Sequence, residues 1–226
     1  MPGLPSAQGL YDPAHEHDAC GVGFVVHVKG QRSHSIVEQA LKVLINLLHR
    51  GACGCEANTG DGAGILIQMP DRFLRRETLR LGFTLPPERH YGAGLVFLPK
   101  EPTWRARVEA RFEEIVVEEG QRVLGWRDVP TDDSSVGPSA VAVEPCFRQL
   151  FIGRGPAFDG LPTSTETDLR FERKLYVIRK RIEHAVDGMG LPDRTWFYVP
   201  SLSSKTIIYK GMLTCLLYTS PSPRDS

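Results

Sequence analysis

Apolar residues recur at helical spacing in several stretches of the chain. Val37, Leu41, Leu44 and Leu48 form one stripe, and Ile36, Ala40, Val43 and Leu47 the next. Two adjoining stripes predict a helix over 36–50 that is buried on most of its circumference. Ser35 followed by Glu38 fits a capping box, and His49, Arg50 and Gly51 suit a helix end. A short amphipathic helix is predicted over 71–81. Trp104, Val108, Phe112 and Ile115 mark a third, ended by Gly120, and Phe171, Leu175, Ile178, Ile182 and Val186 a fourth. Between the helices lie short β-branched or aromatic runs that predict strands at 20–29, 65–67, 94–98, 123–126, 140–143, 148–152, 196–199 and 206–209. Helices and strands alternate only roughly. This fits an α+β or layered α/β/β/α arrangement better than a doubly wound parallel sheet.

Composition narrows the class. The chain has 226 residues, 41% apolar and 24% charged, with 27 basic and 27 acidic side chains. A formal charge of zero gives no electrostatic case for nucleic acid or an anionic membrane. The outer face of the fourth helix carries Arg170, Arg173, Lys174, Arg179, Lys180 and Arg181, which read as a solvated face. No run of apolar residues is long enough to span a bilayer. The segment 1–19 has neither the apolar core of a secretory signal nor the arginines of a transit peptide. It is expected to be a leader or propeptide, and the protein cytoplasmic.

The cysteines are Cys20, Cys53, Cys55, Cys146 and Cys215. An odd number without a secretion signal argues against a disulfide framework. No CxxC pair occurs, so no structural metal site is expected. Cys53 and Cys55 lie too close in sequence for good chelation without further ligands. His15, His17 and Cys20 are not read as a metal cluster either, because the histidines lie in the expected leader. The glycine-rich stretch 60–64 lacks the Lys-Ser/Thr of a P-loop and leads into a strand, so it is read as a tight turn.

Cys20 is the candidate for chemistry. A thiol attacks a carbonyl as its thiolate, and an ordinary cysteine has a pKa of about 8.5. A chain cut before Cys20 would expose an α-amino group of pKa about 7.7–8.0, able to act as base within the same residue. The plain alternative is an inert thiol at the start of a strand.

Three motifs bear on that choice. Asp18-Ala19-Cys20-Gly21-Val22-Gly23-Phe24, Leu48-His49-Arg50-Gly51-Ala52 and Gly60-Asp61-Gly62-Ala63-Gly64-Ile65 resemble the start of a class II glutamine amidotransferase. Phe171-Glu172-Arg173-Lys174-Leu175-Tyr176, Ser201-Leu202-Ser203-Ser204-Lys205-Thr206 and Tyr209-Lys210-Gly211-Met212-Leu213 are similar, more narrowly, to the large (α) chains of glutamate synthases. The resemblance covers about residues 10–214. It implies a four-layer αββα sandwich of the N-terminal nucleophile hydrolase type, with Cys20 as nucleophile after loss of 1–19 and Arg50 beside it. It also implies glutamine as substrate, and ammonia passed to a distant site that aminates 2-oxoglutarate. That site is expected to use FMN and an iron–sulfur cluster, with NADPH or ferredoxin as reductant. A small (β) subunit is a possible partner. The cofactors are not expected within this chain.

Two family strings are not found in the sequence. One is the glutamine-holding arginine segment, roughly His-Ser-Arg-Phe-Ser-Thr, and the other is Ala-His-Asn-Gly-Glu, which supplies the oxyanion hole. The expected organisation is therefore a leader (1–19), a partial amidotransferase domain (20–214), incomplete at its C-terminus, and a disordered Ser/Pro-rich tail (215–226) that includes Cys215. The polypeptide alone is expected to be inactive. The competing readings are another class II amidotransferase, making asparagine, phosphoribosylamine or glucosamine phosphate, and a non-catalytic remnant.

Overall fold

The computed structural model describes residues 7–9, 21–47, 59–134, 136–192 and 196–213. It divides into two units, Gly64–Gly211 and Met1–Ala63 with Met212–Ser226.

The larger unit is built on an antiparallel sheet of three strands: β2 (Tyr91–Leu98), β3 (Arg122–Asp128) and β4 (Cys146–Gly153), in the order β2-β4-β3. The register pairs Tyr91 with Gly153 and Leu98 with Cys146 on one side of β4, and Asp128 with Arg148 on the other. A bulge between Val123 and Gly125 interrupts β3. Side-chain alternation splits the sheet into two apolar faces. Val96, Leu98, Leu150 and Ile152 join a core with α3 (Pro102–Glu118) and α5 (Thr165–Asp187). Tyr91, Ala93 and Phe151 face the other way, toward Met69, Leu85 and Leu74 of α2 (Asp71–Arg80). The sheet thus lies between helical layers.

The helices begin where their sequence provides caps. The Glu101 carboxylate accepts from the amides of Thr103 and Trp104, and Pro102 fits the first turn of α3. Ser164 Oγ accepts from the Thr167 amide at the start of α5, with Glu166 and Asp168 in the first turn. Phe112, Ile115, Phe171, Leu175, Ile178 and Ile182 are fully buried, as the helical spacing predicts. The basic run of α5 is largely engaged with acids. Lys174 and Arg181 each lie 2.8 Å from Glu119, Arg181 also pairs with Glu118, and Arg179 and Lys180 pair with Glu183.

In the smaller unit, α1 (His34–Asn46) follows an extended segment. Three expectations fail here. Residues 21–27 are extended but are not assigned as a strand, because strand pairing needs a neighbouring backbone that this segment lacks among the described residues. No residue of α1 is buried; its apolar stripes are half-covered. The N-cap is Ser33, without a side-chain cap bond, so the Ser35–Glu38 box is not formed. The extended segment nevertheless has two unlike faces. A Cβ on Gly23 would lie 2.4 Å from Val43 Cγ1, whereas Val22, Phe24, Val26 and Val28 are 71–98% exposed.

Other differences have local causes. Residues 140–143 belong to a helix, α4 (Pro138–Val143), because Pro138 presets the helical φ at its first position. At 196–199 only an isolated bridge between Tyr198 and Phe97 forms. The stretch 60–64 is not a turn but lies inside β1 (Thr59–Gln68), which pairs with β5 (Thr206–Leu213). The predicted helix end at His49, Arg50 and Gly51 lies outside the described residues.

Candidate functional site

Cys20 and Arg50, the two residues singled out for catalysis, lie outside the described residues, as do Cys53, Cys55 and Cys215. What is described of the motif segments is the backbone that follows Cys20 in sequence and, separately, the strand pair β1–β5. Gly62 has φ +112°, a conformation that side chains resist. A Cβ on Gly64 would lie 3.1 Å from the Tyr209 carbonyl oxygen. Gly64 therefore serves a close strand approach rather than a tight turn.

A polar chain that sequence reasoning missed runs through the larger unit behind β5. Gln149 Nε2 donates to the Tyr209 hydroxyl at 2.8 Å, and Gln149 Oε1 accepts from Arg127 Nη1 at 2.9 Å. Arg127 Nη2 lies 3.5 Å from Glu77 Oε2, and its guanidinium stacks over the Phe73 ring. Gln149 is fully buried and Arg127 nearly so. Burial pushes the Tyr209 phenol above its usual range, outweighing the opposing effects of Gln149 and Arg127. The chain keeps buried polar groups satisfied and ties β3, β4, β5 and α2 together.

Two adjoining clefts of about 230 and 520 Å³ open beside the start of α3, sharing Arg105, Asp128 and Cys146. Their charges are mostly spent within the protein. Lys100 lies 3.2 Å from Glu144, and Arg148 lies 2.7 Å from both Glu109 and Asp128. Burial alone would lower the Arg148 pKa, but these two carboxylates outweigh it and the guanidinium is raised. Cys146 is a free thiol. Among the described residues no group of three or more His, Cys, Asp or Glu side chains could hold a metal ion. No helix among them is long and apolar enough to cross a membrane.

The chain belongs to the class-II glutamine amidotransferases: the family's sequence profile matches residues 20–219. Its relatives are more specific. It is 45% identical over 211 residues to the NADPH glutamate synthase large chain of Bacillus subtilis, an alignment covering 93% of this chain and 13% of that one. It is 43% identical over 210 residues to the NADH glutamate synthase of Schizosaccharomyces pombe, covering 93% and 10%. It is 37% identical over 204 residues to the ferredoxin-dependent glutamate synthase 2 of Synechocystis, covering 89% and 12%. The chain thus spans about a tenth of the length of these relatives, and it corresponds to their glutamine amidotransferase domain.

Proposed function

We propose that this chain carries the glutamine-hydrolysing half of a glutamate synthase, with Cys20 as an N-terminal nucleophile once residues 1–19 are removed. The observation that carries the reading is the start of the family match at Cys20, inside the Asp-Ala-Cys-Gly motif. The freed α-amino group takes the thiol proton, and the thiolate attacks the side-chain amide carbon of glutamine. Collapse of the tetrahedral intermediate breaks the C–N bond. The ammonium-form amine returns its proton to the leaving ammonia, and a γ-glutamyl thioester remains. Water, deprotonated by the same amine, then releases glutamate and restores the thiol. The Arg50 guanidinium favours the thiolate.

The wider reading follows the relatives. The domain adopts the four-layer αββα sandwich, in which the bare face of Val22, Phe24, Val26 and Val28 would be covered by a facing sheet. Ammonia passes to a second site in the whole protein and aminates 2-oxoglutarate. FMN and an iron–sulfur cluster serve there, with NADPH or ferredoxin as reductant, and a β subunit is a partner. The protein works in the cytoplasm. The activity is assigned to the intact natural chain, because the family's glutamine clamp and oxyanion-hole strings are not among these 226 residues.

Replacing the nucleophile tests the reading. In the intact natural chain, Cys20→Ser abolishes ammonia release from glutamine while leaving synthesis from free ammonia in place. Glutaminase activity that survives the substitution refutes the assignment.

A further inference from the structure

Two of the three later motifs that point to glutamate synthases, at 171–176 and 201–206, are far apart in sequence but meet in the fold. Glu172 projects from α5 into the turn that precedes β5. Its Oε1 accepts from the Ser204 amide at 2.6 Å and from Ser204 Oγ at 2.5 Å, and its Oε2 accepts from Ser203 Oγ at 3.0 Å. Ser203 Oγ in turn accepts from the amides of Lys205 and Thr206, at 3.0 and 3.3 Å. Ser201 Oγ accepts from the Ile208 amide at 3.0 Å. Ser201 and Ser204 are buried and Ser203 is half-buried, so these bonds are partly shielded from competing water. A carboxylate that accepts three hydrogen bonds is a strong anchor. The same turn is tied by backbone bonds to β2, through Ala93 and Ser203, and to the end of β1, through Met69 and Lys205.

We propose that Glu172, acting through Ser203 and Ser204, is a positioning residue for glutamine hydrolysis: it fixes where β5 begins and so the register of β5 against the glycine-rich strand β1. The inference rests on the glutaminase reading above.

The register has little tolerance. Gly64 meets Tyr209 where a Cβ would lie 3.1 Å from the carbonyl oxygen and 3.6 Å from Lys210 Cβ. A slip of one residue would bring Ala63 or Ile65, each with a real Cβ, to that point. β5 is held at a second place by the bond from Gln149 to Tyr209. The clasp sets the start of the strand and the buried chain sets its middle. β1, whose segment 60–64 carries part of the amidotransferase motif, is thereby held at one register.

The test uses the intact natural chain. Ser203→Ala removes the acceptor of two backbone amides, and Ser203→Thr restores a hydroxyl. In Ser203→Ala, hydrogen exchange at Lys205 and Thr206 speeds up roughly tenfold while the amides of β2 and β4 stay protected. The kcat for glutamine hydrolysis falls by a similar factor, roughly tenfold, with KM changed less than about twofold. Ser203→Thr recovers both readouts. Glu172→Gln, which keeps the shape and loses the charge, falls between, and it carries the test if Ser203→Ala does not fold. Wild-type kcat in Ser203→Ala or Glu172→Gln, despite faster exchange, overturns the proposal. So does exchange that recovers in Ser203→Thr without recovery of kcat. A wild-type chain that releases no ammonia from glutamine removes the glutaminase reading itself, and the positioning role with it.

Discussion

Gly155 concentrates the steric logic of the larger unit at one residue. A Cβ there would lie 1.6 Å from the Gly120 carbonyl oxygen, and the Gly155 amide donates to Gln121 Oε1 at 3.0 Å. The obstructing atom is backbone, so no rotamer change relieves it. Gly155→Ala is expected to destabilise by about 3 kcal/mol, toward the upper end for overpacking, as read from urea denaturation. Wild-type stability in that variant would mean that the two backbones separate freely. Nothing in the sequence marks Gly155 over its neighbours, because its constraint comes from a segment more than thirty positions away. Arg127 and Gln149 were hidden for a related reason. A polar residue on a strand reads as solvent-facing, and only the meeting of β3, β4 and β5 makes these two an internal pair. Cys20 and Arg50, by contrast, are proposed from contiguous motifs and lie outside the described residues.

At the scale of elements, local signals succeeded where the element generates its own order. α3 and α5 follow from apolar spacing and from caps a few residues away. β2 and β4 follow from short apolar runs. The signals failed where order comes from elsewhere. The β-branched run after Cys20 has strand composition but no pairing partner among the described residues, and Pro138 turned an apparent strand into a helix. The α3–α5 contact adds an electrostatic tie that spacing alone does not reveal. Lys174 first, and Arg181 with it, hold the Glu119 carboxyl below the usual glutamate range, although partial burial opposes them. Arg111 and Arg181 do the same for Glu118. A lowered folded-state pKa adds stability that is complete above the unfolded value, about 4.3, and is lost as pH falls through the folded value. Glu119→Gln should therefore lower Tm at neutral pH, and its deficit against wild type should shrink as pH drops from about 5 to about 3. Thermal melts across that range check this. A deficit that stays constant with pH would show that the carboxylate charge contributes nothing.

At the scale of the whole molecule, one family spans nearly the whole chain. The match from residue 20 to residue 219 and the glutamate synthase relatives place the chain in the class-II amidotransferases. The larger unit supplies a well-packed helix–sheet–helix body that holds β5 at two points. The smaller unit presents α1 and an extended segment with one bare apolar face. The central claim concerns the residue at the head of that segment. Its most direct test is peptide-resolved mass spectrometry of the intact natural chain, quenched during glutamine turnover. The expected result is an N-terminal peptide that begins at Cys20 with a free α-amino group and carries a γ-glutamyl thioester on its sulfur. An active enzyme whose first peptide still begins at Met1, or whose glutamyl adduct sits on another residue, would contradict it.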